Sequence, residues 1–373
     1  MKSLKKLVAL VAVAALSITT LVGCKKQDPI DNSEIVMTIG DKEVELGLAN
    51  FILRYYQSSE EANMEMYASY GYAMDWDMEI DEEGTTYEES LKKSILESIQ
   101  KLYVLDAHAE DYQVALTEDE MAKIKEVAKA FADANTDEAN EKVSSKYAQE
   151  YLRLFTVSEK MYDAVKASHT PEIKEGEADQ KIMYYVQYAK TSTDSSGNAV
   201  QLTEDQLKQL KKDAQAMLDG ATANGNLEAY AKEQSLTATK AAFSADNETL
   251  EKALVEAADK LELNGFTDVI EGESAYYVAQ VTSLFDQEAT DTREKELIEE
   301  RKDEFYTETV EDWVDETEIK VNDKVWKKIS IEGLKIKAIE PKEEEKTTDT
   351  TTEDSTEGLT VETTDDASEE TAE

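Results

Sequence analysis

KIMYYVQYAK, residues 181–190, and SAYYVAQV, residues 274–281, are two strand-like runs that lie about ninety residues apart. Each run carries a pair of adjacent tyrosines, Tyr184–Tyr185 and Tyr276–Tyr277. Aromatic and β-branched residues favour the pleated, half-buried surface of a sheet. Helical patterns fill the chain between the two runs, so we expect a small sheet closed by its first and last strands.

The block around these runs, residues 172–286, is predicted in outline as β-α-α-α-β-β. A capping box at Thr203–Gln206 predicts a helix that ends at Gly220, a residue type suited to a helix C-terminus. Two further helices are predicted in NLEAYAKEQS (226–235) and AFSADNETLEKALVEAADKL (242–261). GFTDVIEG (265–272) and the second quoted run then close the unit as two strands, joined by a turn near Gly272–Glu273.

Helical patterns dominate on both sides of this block. IVMTIGDKEVELGLANFIL (35–53) predicts a short β segment, a turn at Gly40–Asp41 and an amphipathic helix. A second helix is predicted from four apolar positions at helical spacing: Leu91, Ile95, Ile99 and Leu102. A third is predicted to follow a capping box at Thr117–Glu120. Three more are predicted over Glu138–Phe155, Ser158–Ser168 and about 291–317. EIKVNDKVWKKISI (318–331) is predicted as a closing strand.

The N-terminus has the form of an export signal. Three lysines in the first six residues precede an apolar stretch over about 7–21, which is short for a membrane-spanning helix. Leu21-Val22-Gly23-Cys24 resembles the lipobox of bacterial lipoproteins, in which cleavage precedes the cysteine and its thiol receives a lipid. Cys24 is the single cysteine, so lipidation would leave no thiol for a disulfide, a metal site or catalysis. The alternative is an ordinary signal peptide with a chance cysteine.

The charge balance excludes one class of protein. Forty Lys and Arg face 83 Asp and Glu, and the net charge of −43 becomes more negative when the signal lysines are removed. A nucleic-acid binder needs a basic surface for phosphate contacts, and direct adhesion to anionic lipid needs one too. We therefore expect no nucleic-acid partner, and membrane attachment only through a lipid on Cys24.

The order of these elements resembles the parvulin rotamase domain, and the whole layout resembles the SurA/PrsA group of extracytoplasmic foldases. Parvulins end in a run like G-x-I-S-x-x-V-x-x-x-x-G-Y-H-I-I-x-V. Residues 263–281, LNGFTDVIEGESAYYVAQV, have a similar pattern, with Tyr277 at the position of the His. The first parvulin strand reads like S-H-I-L-V, which places Tyr185 at its His. Residues 35–53 are similar to the foldase start V-A-x-V-N-G-x-x-I. The resemblance covers nearly all of residues 34–331.

The departures from the parvulin pattern are as informative as the match. QSLTATKAAFSADN (234–247) stands where the family has G-G-D-L-G, and the pocket Met and Phe fall near Asp246 and Leu250. We assign no catalytic residue, because the family histidine positions are Tyr185 and Tyr277. Phe243, Leu250 and Phe266 are the candidate cleft residues. The resemblance therefore implies a parvulin scaffold with weak or absent isomerase activity.

The remaining chemistry-bearing residues suggest no metal site. His169 precedes Thr170–Pro171 and is interpreted as a helix-end residue, and His108 as a surface residue within a helix. Two distant histidines without a thiolate make a transition-metal site improbable. TDSSGN (193–198) lacks the ligand spacing of an EF-hand and is interpreted as a hairpin-like loop. No cofactor is implied.

One segment suggests a surface for client polypeptides. NMEMYASYGYAMDWDMEID (63–81) contains four of the ten methionines together with Tyr67, Tyr70, Tyr72 and Trp76. Thioether and aromatic side chains adapt to varied apolar partners. Met66, Tyr70 and Trp76 are the candidate client-binding residues. The alternative is that the segment simply covers the helical core.

These observations predict an α+β chain: a mostly helical, SurA-N-like chaperone domain with an inserted, small parvulin-like antiparallel sheet and its helices. The expected segments are a lipoprotein signal (1–23), a tether (24–33), the first part of the helical domain (34–171), the parvulin-like domain (172–286), a helix and strand that complete the helical domain (287–331), and an acidic disordered tail (332–373). The expected function is a foldase for unfolded exported polypeptides, on the outer face of a bacterial cytoplasmic membrane. The alternatives are an active peptidyl-prolyl isomerase and a solute-binding lipoprotein. The sequence leaves the oligomeric state open.

Overall fold

The protein is described by a computed structural model that covers residues 30–135, 144–193, 197 and 199–331. The expected signal, Cys24, most of the tether and the acidic tail lie outside these residues. The described chain combines long helices with three antiparallel sheets. The α+β class expected from the sequence is therefore confirmed.

A three-stranded sheet joins the two ends of the described chain. Strand β1 (Ile35–Ile39) pairs antiparallel with β2 (Lys42–Glu45) on one side and with β9 (Ile319–Val321) on the other. The β1–β2 turn contains Gly40 at φ +56°, in the left-handed region that glycine enters without steric cost. The closing strand predicted over 318–331 is shorter than expected, because residues from Asp323 to Trp326 form a helical turn, α9.

Four helices follow this sheet and build the main core. They are α1 (Leu46–Ser69), α2 (Tyr87–Ala107), α3 (Glu118–Ala134) and α4 (Ser145–Ser168). The predicted capping box at Thr117 and Glu120 is present at the start of α3. Ile95, Ile99 and Leu102 of the predicted stripe are buried on α2, where they pack with residues of β1, α1 and α4.

Helix α4 corrects the prediction of two helices over Glu138–Phe155 and Ser158–Ser168, of which residues 138–143 lie outside the described part of the chain. The helix runs without interruption from Ser145 to Ser168. The hydroxyl of Thr156 donates to the Leu152 carbonyl, and that of Ser158 donates to the Phe155 carbonyl. Both polar side chains therefore bond within the helix instead of ending it.

The C-terminal described residues are held on the main core by cationic and amide side chains of two helices. Arg54 of α1 donates to the carbonyls of Ser330 (2.7 Å) and Ile331 (3.2 Å), and Gln57 also donates to Ile331 (2.9 Å). Lys92 of α2 donates to the Ile329 carbonyl at 2.6 Å. Burial lowers the pKa of Arg54 to about 10, so the guanidinium is still charged at neutral pH.

The long helix α8 (Gln287–Glu316) packs against α2 and α4. Val310 is buried there against Leu105, Val157, Met161 and Val165. Both histidines lie at this contact. His108 ends α2 with its ring stacked on Trp313 at 4.2 Å, and His169 ends α4 with its ring stacked on Phe305 at 4.3 Å. His108 is thus not the plain surface residue that the sequence suggested.

The block between α4 and α8 contains a four-stranded antiparallel sheet with helices on both faces. The strand order is β6-β3-β8-β7, and β3 and β8 are the two quoted runs. Helices α5 and α6 pack on one face and α7 on the other. The elements are β3 (Lys181–Ala189), a hairpin of β4 (Thr191–Thr193) and β5 (Ala199–Gln201), α5 (Glu204–Asn224), α6 (Leu227–Glu233), β6 (Thr239–Phe243), α7 (Lys252–Asp259), β7 (Ile270–Glu271) and β8 (Ala275–Ser283).

Three local predictions within this block are corrected. Strand β6 lies in residues for which no strand was predicted. The strand predicted over 265–272 is reduced to Ile270–Glu271. Helix α5 passes through Gly220 and ends at Gly225, whose φ of +81° supplies the left-handed C-cap. Gly220 instead lies against Tyr230, where a Cβ would come within 2.1 Å of that ring.

Candidate functional site

The two central strands bring Tyr185 and Tyr277 together on one face of the sheet. Tyr185 lies opposite Ala279, and Tyr277 lies opposite Gln187, so the two tyrosines are diagonal neighbours across the β3–β8 pair. Their ring centroids are 6.0 Å apart at an interplanar angle of 61°. Side chains alternate between the faces of a strand, so Tyr184 and Tyr276 lie on the opposite face, toward α5 and α6.

The hydroxyl of Tyr277 belongs to a hydrogen-bond network around Glu251. Tyr277 donates to Glu251 Oε2 at 2.7 Å, and Ser274 donates to the same oxygen at 3.0 Å. The backbone N–H of Glu273 donates to Glu251 Oε1. Gly272 lies so close to the carboxylate that a Cβ would come within 2.0 Å of Oε1. The β7–β8 turn therefore closes around this carboxylate.

The electrostatics of the network keep the proton on the phenol. Burial raises the pKa of Tyr277, and its bond to the Glu251 carboxylate raises it further against the opposing effect of Ser274. Burial also acts to raise the pKa of Glu251, but the bonds from Tyr277, Glu273 and Ser274 outweigh it and hold that pKa below its ordinary value. At neutral pH the pair is a neutral phenol that donates to a carboxylate.

The three candidate cleft residues do not share one surface. Phe243 is fully buried at the end of β6, and Leu250 packs against the same core on the Tyr185–Tyr277 face. Phe266 packs with the α5–α6 core on the other face and forms a bridge to Gln280. Leu254, Val255 and Ala258 of α7 cover the first face. Phe243 thus fills the core, and only Leu250 lies partly exposed beside the tyrosines.

The three candidate client-binding residues lie in two environments. Met66 and Tyr70, at the end of α1, are 48% and 73% exposed, and Tyr72 beyond the helix is 69% exposed. Trp76 is half-buried and stacks on Tyr87 at 5.3 Å and 19°, where it packs on the main core. The helix end therefore presents apolar surface to solvent, whereas Trp76 anchors the segment that follows.

Sequence reasoning missed Glu251 and Ser274. Glu251 is one acid among 83 and immediately precedes the short helix α7, so its spacing from Tyr277 gives no periodic signal. The turn at Gly272–Glu273 was predicted, and Ser274 follows it directly. A carboxylate bonded to that turn could not be assigned without the fold.

The described residues offer neither a metal-binding cluster nor a membrane-spanning helix. No group of three or more His, Cys, Asp or Glu side chains in this part of the chain is arranged to hold a metal ion. Among the same residues, every helix is too short or too polar to span a membrane.

Comparison with known proteins identifies the inserted block. Residues 177–294 match the family model of the PPIC-type peptidyl-prolyl isomerase (PPIase) domain, also described as a rotamase domain. A comparison with curated proteins gives no match. The family match confirms the parvulin resemblance drawn from the two quoted runs, so the chain carries a PPIC-type domain.

Several solved structures also resemble the chain. A SurA-like chaperone of Campylobacter jejuni is 10% identical, with 77% of this chain and 98% of that one covered and a TM-score of 0.27. The foldase PrsA of Streptococcus pneumoniae is 17% identical, with 66% and 96% covered and a TM-score of 0.29. The peptidylprolyl isomerase PrsA of Bacillus cereus is 17% identical, with 80% and 97% covered and a TM-score of 0.32. Scores of this size do not establish a common overall arrangement.

Proposed function

We propose that this protein is an extracytoplasmic foldase that binds unfolded exported polypeptides and whose parvulin-type domain is a weak or inactive isomerase. The observation that carries the proposal is the bonding of Tyr277 to Glu251 inside a PPIC-type domain. Residues 177–294 match an isomerase family, while the position that the resemblance assigns to a histidine holds a phenol engaged by a carboxylate.

Catalysis of prolyl isomerisation requires groups that lower the barrier to bond rotation. Isomerisation of a prolyl bond breaks no covalent bond and takes tens to hundreds of seconds without a catalyst. The family resemblance implies that catalysis needs an apolar seat for the proline ring and a polar network around the amide. In this chain Phe243 is buried in the core, and the Tyr277 hydroxyl already donates to Glu251. Neither group is placed to serve a peptide in the cleft.

The exposed end of α1 offers a surface for a client polypeptide. Met66, Tyr70 and Tyr72 are about half or more exposed, although large apolar side chains are usually buried in a soluble protein. Exposed apolar groups of this kind often mark a surface for another molecule. Flexible thioethers and amphipathic phenols fit partners of varied shape. An unfolded polypeptide is the partner whose apolar side chains would cover them.

The test combines two assays on the full chain. With a proline-containing tetrapeptide, we expect relaxation to remain on the uncatalysed time scale, whereas a histidine-bearing parvulin at the same concentration accelerates it. With a chemically unfolded client, we expect the chain to suppress aggregation. A rate close to that of the control parvulin would refute the inactive-isomerase proposal, and failure to suppress aggregation would refute the chaperone proposal.

An active isomerase is the second candidate, favoured by the family match over residues 177–294. Under that alternative the tyrosines would supply the polar network. Replacement of both Tyr185 and Tyr277 by Phe would then abolish a measurable rate and leave the fold intact. If there is no rate to lose, the double variant should match the parent in the isomerase assay, although loss of the Tyr277–Glu251 bond should lower its stability.

The anchor and the domain boundaries are part of the same proposal. A lipid on Cys24 would hold the mature chain on the outer face of the cytoplasmic membrane, and residues 34–171 with 287–331 would form one domain around the block 172–286. We expect wild type to partition into the detergent phase and the Cys24→Ala variant to accumulate as uncleaved precursor. A mature chain cleaved elsewhere, with an unmodified Cys24, would refute the anchor.

A further inference from the structure

Strand β6 forms an edge of the four-stranded sheet. It pairs with β3 along its whole length, from Thr239 opposite Tyr185 to Phe243 opposite Lys181. Within the described chain no strand pairs with its other side. Thr239, Lys240 and Ala242 are exposed. The outer backbone groups of an edge strand can pair with an extended polypeptide, which is how strand addition recognises peptides.

A cavity of about 960 Å³ lies over the face of this edge that carries Lys240 and Ala242, between the sheet and α8. Its walls come from β3, β6, the turn at 244–249 and the first half of α8. Lys240, Ala242 and Ser244 line it at every second position, which is the spacing of one strand face. The small side chains of Ala242 and Ser244 leave room beside β6 for long side chains of an added strand.

The charge of the cavity is strongly negative. Two cations, Lys240 and Arg293, line the cavity together with six carboxylates. The carboxylates are those of Asp246, Glu248, Asp286, Glu288, Glu296 and Glu300. Arg293 is already paired with Glu300 at 2.8 Å and with Glu296 at 3.4 Å. Asp286 caps α8 by accepting from the Ala289 N–H, which satisfies the helix end that would otherwise attract an anion. For Asp246, Glu248 and Glu288, the described chain supplies no salt-bridge partner.

We propose that the β6 edge binds an extended, Lys- and Arg-rich polypeptide segment as a fifth strand, with its cationic side chains in the adjacent cavity. The proposal deepens the proposed function, because it names the class of client segment that the parvulin-type domain would hold. Five residues of β6 span about 17 Å, so the bound segment would be five to seven residues long. The net charge of −43 would also steer basic segments toward the protein.

The same charge argues against two occupants from the chain itself. A second copy of this protein would bring another strongly acidic surface to an acidic cavity. The C-terminal stretch from residue 342 is rich in Asp and Glu, so repulsion disfavours it as well. The site lies away from the Tyr185–Tyr277 pair, because Ala242 is on the opposite face of the sheet from Phe243.

The test uses the full chain and three labelled decapeptides in fluorescence anisotropy. The first peptide alternates Val and Lys, and the second has Glu in place of each Lys. The third has the sequence of the first, but every second backbone amide is N-methylated, so that one edge of the peptide cannot pair with a strand. We expect the first peptide to bind at least about tenfold more tightly than either of the others. Equal binding of the Lys and Glu peptides would refute the charge argument, and equal binding of the N-methylated peptide would refute strand addition.

A matched pair of variants locates the site. Asp246→Lys with Glu248→Lys reverses two exposed charges at the cavity, and Glu311→Lys with Asp312→Lys makes the same charge change at the far end of α8. We expect about tenfold weaker binding of the Lys peptide for the first variant and less than about twofold for the second. Equal losses would show that only net charge matters and would overturn the proposal.

The outcome can be separated from that of the proposed function. Aggregation suppression by the exposed α1 end does not require β6, and binding of the decapeptide does not require Met66 or Tyr70. If the Lys peptide fails to bind while aggregation is still suppressed, this inference fails alone. Hydrogen exchange provides a check on location, because the outer amides of residues 239–243 should gain protection only with the first peptide.

Discussion

Replacement of Glu251 by Gln tests whether the network around Tyr277 has the strength that the structure implies. The carboxylate accepts from Tyr277 and Ser274 through one oxygen and from the Glu273 N–H through the other. Glutamine keeps one acceptor oxygen and replaces the other by an NH₂ donor. If the NH₂ takes the place of Oε1, the Glu273 N–H faces another donor; if it takes the place of Oε2, the hydroxyls of Tyr277 and Ser274 must turn and accept instead of donating.

The expected loss follows from the charge and the count of bonds. A hydrogen bond to a charged group contributes about 1.5–3 kcal/mol, and Glu251→Gln removes the charge from all three bonds and either breaks the bond from Glu273 or reverses the two hydroxyl bonds. We therefore expect the free energy of unfolding of the parvulin-type domain to fall by about 2–3 kcal/mol. At about 4 °C per kcal/mol for a domain of this length, its melting temperature should fall by about 8–12 °C.

The pH dependence supplies a second, independent signature. The pKa of Glu251 lies below its ordinary value in the folded chain, because the bonds from Tyr277, Glu273 and Ser274 outweigh burial. Its contribution to stability is therefore complete above the unfolded pKa of about 4.3 and is lost as the pH falls through the folded pKa. The difference between wild type and Glu251→Gln should be constant from about pH 6 to 8 and should narrow below about pH 4.

Thermal melts followed by near-UV circular dichroism provide the assay, and Glu256→Gln provides the matched control. Glu256 is exposed on α7 and lies 3.8 Å from Lys252, so its loss should change stability by less than about 0.5 kcal/mol. Equal shifts for the two variants would refute the reasoning. A difference between wild type and Glu251→Gln that persists unchanged at pH 3 would refute it as well.

Three further predictions concern the rest of the molecule. Met66→Ser with Tyr70→Ser should weaken aggregation suppression at least about threefold and leave the melting temperature within about 2 °C, because both side chains are exposed. Trp76→Ser should lower the melting temperature instead, because Trp76 stacks on Tyr87. The reverse pattern would contradict the assignment of Met66 and Tyr70 to the client surface. A short linker in place of residues 172–286 should leave a folded helical domain by far-UV circular dichroism and a cooperative melt, and an unfolded product under conditions where wild type is stable would contradict the discontinuous domain. Arg54→Met should destabilise the main core by about 3 kcal/mol in urea titration, because the Ser330 and Ile331 carbonyls lose a charged donor; a loss below about 1 kcal/mol would contradict this role.

The parts of the fold that the sequence could predict are those set by local rules. The capping box at Thr117 marked the start of α3, and the stripe from Ile95 to Leu102 marked the buried face of α2. The two tyrosine-bearing runs became the central strands β3 and β8. Each of these signals lies within a few residues of the chain, and tertiary contacts did not override it.

Other features depended on contacts that no local pattern records. Strand β6 (Thr239–Phe243) contains two alanines and a lysine, which favour a strand only weakly, and it is a strand because β3 offers it an edge. Gly220 has the residue type of a helix end, yet it serves a close approach to Tyr230. Glu251 joins the site through a turn more than twenty residues away, so its role became apparent only in the fold.

The pairing of β1 with β9 has a consequence for how the chain becomes native. Met37 and Val321 are neighbours in one sheet, although nearly the whole described chain separates them in sequence. A chain that is synthesised from its N-terminus exposes β1 long before its partner is present. Closing so long a loop costs conformational entropy, and contacts of such high sequence separation form slowly. The strands of the four-stranded sheet all lie within about a hundred residues of one another. That sheet can therefore form earlier and bring β9 closer to β1, and until then the apolar face of β1 stays exposed to aggregation.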